Sequence, residues 1–99
     1  MVYMPQTKTG KFVIRLIGMA NGLSTNFDGM YLVSFDPDLR GGRGLVGAEL
    51  DIKKAKRFDT LDEVLDFYGQ RSKRFPNRAD GQPNRPLTAM TIQIIEVQE

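Results

Sequence analysis

The chain has 99 residues, 40% of them hydrophobic and 26% charged, with a formal net charge of +2. That length suits one domain able to bury about 60% of its unfolded surface, and the composition is that of a globular protein. The chain has neither cysteine nor histidine. This excludes a disulfide framework, a thiolate nucleophile, the usual zinc sites and a Ser-His-Asp triad.

In chain order, residues 1–10 (MVYMPQTKTG) lack periodicity and carry Pro5 and Gly10. They read as a flexible leader before a single domain over 11–99. In 11–18 (KFVIRLIG), Phe12, Ile14 and Leu16 fall on one face of a strand and Val13, Arg15 and Ile17 on the other. Arg15 interrupts the apolar run, which is too short for a signal segment or a membrane span, so a cytoplasmic chain without a membrane partner is expected. The stretch 19–29 carries Asn-Gly and Asp-Gly turn pairs and leads to a second strand, YLVSF (31–35). A third strand follows in LVGAELD (45–51), where Val46, Ala48 and Leu50 alternate with Gly47 and Glu49.

Residues 51–58 suggest one helical turn behind Asp51 and an extended Arg57-Phe58. In 60–69 (TLDEVLDFYG), Leu61, Val64, Leu65 and Tyr68 follow the spacing of a core-facing helix. Thr60 and Glu63 match a capping box, and Gly69 suits the C-terminal end. Residues 71–86 hold three prolines and no period, and a loop of that length is usually functional or mobile. LTAMTIQIIEV (87–97) reads as the last strand. The expected fold is α+β: an antiparallel sheet of about four strands with one main helix on one face, in the order β-β-β-α-β.

Residues 36–44, DPDLRGGRG, admit several readings. As a cation loop, Asp36 and Asp38 lack the further oxygen ligands and the distal glutamate that calcium sites use, and Arg40 and Arg43 would oppose a cation. As a phosphate cradle, the glycines and the two arginines suit an anion, but a strand follows where a P-loop needs a helix. One RGG copy is too few for an RGG tract. The leading reading is a hairpin loop between the second and third strands.

The second candidate is a cationic surface. Lys53, Lys54, Lys56 and Arg57 precede the helix; Arg71, Lys73, Arg74, Arg78 and Arg85 follow it. If the fold joins these flanks, they make a phosphate-binding face, with Phe75 able to stack on a base or anchor a protein groove. The bland reading is that such residues only favour the helix dipole and solubility. The acidic set Asp59, Asp62, Glu63 and Asp66 falls on the polar side of the helix, which argues against carboxylate catalysis.

The strings YLVSFDPD, GRG, AKRF and PNRPLTA resemble a family of small uncharacterised proteins of proteobacteria, phages and other mobile elements. The resemblance covers about residues 31–91, with PNRPLTA its most distinctive string. The chain departs from it at Tyr68-Gly69, where the family has a bulkier aromatic and a polar continuation. The resemblance implies an accessory protein of bacteria or their mobile elements, and it transfers no activity and no site residue.

The expected function is a non-enzymatic binding module without a cofactor. Nucleic acid is the first partner to test, through Arg40, Arg43, Lys54, Arg57 and the basic residues of 71–85. The alternative is a protein-interaction or inhibitor module anchored by a sheet edge or by Phe75. The sheet edges also leave a homodimer open to the chain.

Overall fold

The computed structural model describes residues 10–97. Apart from Gly10, the leader expected at 1–10 lies outside the described residues. Four strands, β1 (Phe12–Met19), β2 (Tyr31–Asp36), β3 (Leu45–Glu49) and β4 (Met90–Glu96), form one open antiparallel sheet in the order β3-β2-β1-β4. The one α-helix among the described residues, α1 (Leu61–Tyr68), packs over β1. The α+β class and the strand–helix order agree with the sequence pattern. No helix among the described residues is long and apolar enough to cross a membrane.

Two β-bulges decide which side chains reach the core. In β1, Leu16 pairs with Ile92 and Gly18 with Thr91, so Ile17 is an extra residue. In β2, Leu32 pairs with Ala48 and Ser34 with Gly47, which makes Val33 extra. An extra residue reverses the inside–outside alternation. The core side therefore runs Phe12, Ile14, Leu16 and then Met19 in β1, and Leu32 and then Phe35 in β2.

The helix begins as its sequence requires. The Thr60 side chain accepts from the Glu63 N–H (3.1 Å), and the Glu63 carboxylate reaches back to the Asp59 N–H (3.0 Å). The expected apolar stripe needs correction, because Leu61 is 49% exposed and Leu65 is 55% exposed. The inward stripe is Val64, Phe67 and Tyr68. Phe58 bridges Phe12 beside β1 and meets the Phe67 ring edge-on (5.3 Å), while the Tyr68 hydroxyl donates to the Met90 carbonyl (2.6 Å). These contacts rotate an eight-residue helix whose two overlapping i, i+3, i+4 stripes are of similar hydrophobicity.

Two strand ends also differ from expectation. β3 stops at Glu49, and Leu50 is exposed because the chain turns into a short 3₁₀ segment, Ile52–Lys54, whose first turn the Asp51 side chain caps. β4 starts at Met90 because Pro86 opens a 3₁₀ turn over Pro86–Ala89, closed by the Thr88 N–H on the Arg85 carbonyl (3.0 Å).

Candidate functional site

β2 and β3 form a hairpin, with Asp36 opposite Leu45, so DPDLRGGRG is its connecting loop. Asp36 opens it with an Asx turn, its carboxylate accepting the Asp38 N–H (2.9 Å). A 3₁₀ turn follows over Arg40–Gly42. Arg40 has φ +55°, the only non-glycine residue in the left-handed region among the described residues. That conformation costs an arginine about 1–2 kcal/mol, and strain of this kind clusters at functional sites.

The 71–86 segment folds into a narrow tongue. The Ser72 N–H bonds the Asn84 carbonyl (2.9 Å), the Asn84 N–H bonds the Pro76 carbonyl (2.9 Å), and the Arg78 N–H bonds the Gln82 carbonyl (2.7 Å). Arg71 braces its base by donating to the Pro76 carbonyl (2.7 Å) and to Asn77 (2.5 Å).

Hydrogen bonds between residues far apart in the chain clamp the two loops together. One Asp38 carboxylate oxygen accepts the Ser72 hydroxyl (2.8 Å) and the backbone N–H groups of Lys73 (2.7 Å) and Arg74 (3.1 Å). The Arg74 N–H foremost, with the Ser72 hydroxyl, holds the Asp38 carboxyl below the usual carboxylate range. Buried Ser72 in turn accepts the Phe75 N–H (3.0 Å). The Asn84 amide nitrogen donates to the carbonyls of Gly42 (2.8 Å) and Phe75 (3.0 Å). Gly42 lies so close that a β-carbon there would stand 2.6 Å from that of Phe75.

The two loops, the last 3₁₀ turn and the sheet do not close fully on one another. A cleft of about 640 Å³ remains. Its floor comes from core-side residues of the sheet and the last 3₁₀ turn, among them Met19, Phe35, Val46, Leu87 and Met90. Arg40 and Arg43 come from one loop, Arg78 and Arg85 from the other, and among the described residues no carboxylate lines the cleft. Arg78 also pairs with exposed Asp80 (3.0 Å), and Arg85 donates to the Gly69 carbonyl. Four guanidinium groups over an apolar floor, one of them shared with Asp80, make a local field that favours an anion.

The predicted cationic set is thus divided. Arg40, Arg43, Arg78 and Arg85 converge on the cleft. Arg57 holds the Gly10 carbonyl (2.9 Å), and Lys56 stands over the rings of Phe58 and Phe67. Lys54 ends the short 3₁₀ segment before α1. Lys73 and Arg74 are exposed on the tongue, Arg74 stacking on Phe75 at 5.9 Å. Phe75 packs on Gly42 and is not among the cleft residues. Of the paired aspartates, Asp36 and Asp38 are both occupied by loop donors. No group of three or more metal-ligating residue types is placed to hold an ion among the described residues.

No family model matches the chain, and comparisons with curated proteins and with solved structures likewise return no match.

Proposed function

We propose that the chain is a non-enzymatic module that binds nucleic acid through the cleft between the 36–44 and 71–86 loops. The observation that carries this reading is the convergence of four arginines, two from each loop, on a cleft lined by no carboxylate among the described residues. Arginine presents a planar donor fork suited to phosphate oxygens. Catalysis is disfavoured because, among the described residues, the groups with shifted pKa are already engaged in the fold. One Asp38 oxygen holds three loop donors, and Tyr68, raised by burial, donates to the Met90 carbonyl. A bacterial or mobile-element setting, implied by the sequence resemblance, belongs to the same proposal.

The protein-partner alternative has one observation in its favour: Leu61 and Leu65, one turn apart on α1, are both about half exposed. The discriminating experiment is fluorescence anisotropy with generic DNA and RNA across a salt series. Four phosphate contacts to a single strand give a slope of about −3 in log K against log salt. Absence of binding at low salt refutes the reading.

A further inference from the structure

Resting on that reading, we propose that the cleft seats one unpaired nucleotide, its base on the apolar floor and its phosphates on the arginine rim. The protein would then select single strands over duplexes. A phosphate-binding face needs only guanidinium groups at the surface. Here a concavity of about 640 Å³ opens beneath them, a size typical of sites that take whole small molecules at about 300–1,000 Å³. The floor offers the Phe35 ring and the thioethers of Met19 and Met90, which are polarisable surfaces suited to a flat heteroaromatic ring.

The polar lining divides in the same way. The arginines are donors only, matching phosphate. Asn84 is the opposite case: both protons of its amide nitrogen are spent on the Gly42 and Phe75 carbonyls. What this cleft residue has left for a ligand is its carbonyl oxygen, an acceptor. An acceptor beside four cations is of no use to a phosphate oxygen. It suits an N–H on the edge of a base. In a duplex that edge is paired and the ring is stacked, so only an unpaired base can enter. An acidic peptide would satisfy the arginines and leave both the flat floor and the Asn84 acceptor unmatched.

The test uses the full chain and a fluorescein-labelled single-stranded oligonucleotide. Its competitors are an equal-length duplex, AMP, inorganic phosphate and poly-glutamate. Stacking and edge contacts of one base predict that the single strand competes about tenfold or more better than the duplex, and AMP better than phosphate, at equal salt. Ala89 is exposed on the cleft wall and carries no charge. A89W therefore fills the concavity while sparing the arginines, and it should bring single strand and duplex to equal, still salt-sensitive affinity. A89F, which adds less bulk at the same position, takes its place if A89W fails to fold.

If wild type binds single strand and duplex equally and AMP competes no better than phosphate, the inference falls while the nucleic-acid reading stands. If neither nucleic acid binds at low salt, both fall. Poly-glutamate competing as well as the single strand would overturn the inference in favour of an acidic protein partner.

Discussion

Gly42→Ala probes the joint between the two loops on which the cleft depends. Gly42 has φ +88°, and its neighbour Gly41, in the same 3₁₀ turn, has φ +67°. Alanine at either position meets the same backbone penalty, about 1 kcal/mol. The surroundings differ. A β-carbon on Gly41 meets nothing within 4 Å, whereas on Gly42 it would stand 2.6 Å from the Phe75 β-carbon and 2.9 Å from the Asn84 amide nitrogen. The Phe75 β-carbon is fixed to its backbone and cannot swing aside. Relief therefore requires the loops to separate and Asn84 to give up its two hydrogen bonds, at about 1 kcal/mol each. G42A should cost about 3 kcal/mol and G41A about 1 kcal/mol. At about 4–8 °C per kcal/mol for a domain of this size, the Tm should fall by roughly 15 °C and 5 °C respectively. Calorimetry and urea titration of both variants give the difference directly, with the shared backbone term cancelling. Equal losses from the two substitutions would show that the loops are not pressed together at Gly42, and the account of the cleft would lose its support.

Other consequences are measurable on the same samples. V64A, which removes two methyl groups from a fully buried side chain, should cost about 2–3 kcal/mol, while L65A on the exposed face should cost less than about 1 kcal/mol; comparable losses at the two positions in urea titrations would restore the stripe expected from sequence. Because the Asp38 carboxyl is held below its ordinary 3.8, its stabilising effect is complete above about pH 4 and is lost as pH falls through the lower folded value. Thermal scans of wild type should therefore show a steeper acid-side loss than those of D38N, and parallel curves would refute the clamp. Y68F should cost about 1 kcal/mol through its lost bond to the Met90 carbonyl. Since burial raises the Tyr68 pKa, the stabilisation it gives is present below about pH 10 and lost as pH rises through the folded value, so Y68F should flatten the alkaline limb of stability.

What was legible in the sequence was local. The Thr60–Glu63 box announces a helix start because both partners lie within one turn, and the Asp36–Gly44 loop announces itself by turn residues between two apolar runs. The bulges at Ile17 and Val33 have no such signature, since both positions carry strand-forming side chains; only pairing with β4 and β3 makes them extra. The helix face differs from expectation because two turns cannot discriminate between overlapping stripes, and the choice is made by Phe58, just before the helix, and by Met90, twenty-two residues beyond Tyr68. The cleft was the least legible element. It needs Asp38 to find Ser72, thirty-four residues on, and Asn84 to reach Gly42. Asp38 was visible only as half of an acidic pair and Ser72 only as a small residue among basic ones. Their meeting is what separates the arginines that converge from those that brace the fold.

Salt dependence of single-strand binding in R40Q/R43Q against wild type tests the central claim most directly. The two arginines are exposed hairpin residues, and their loss leaves the clamp untouched. Each lost phosphate contact should flatten the slope of log K against log salt by about 0.7, taking it from about −3 to about −1.5, with affinity at low salt falling accordingly. An unchanged slope and affinity in the double variant would contradict the assignment of the cleft as the binding site.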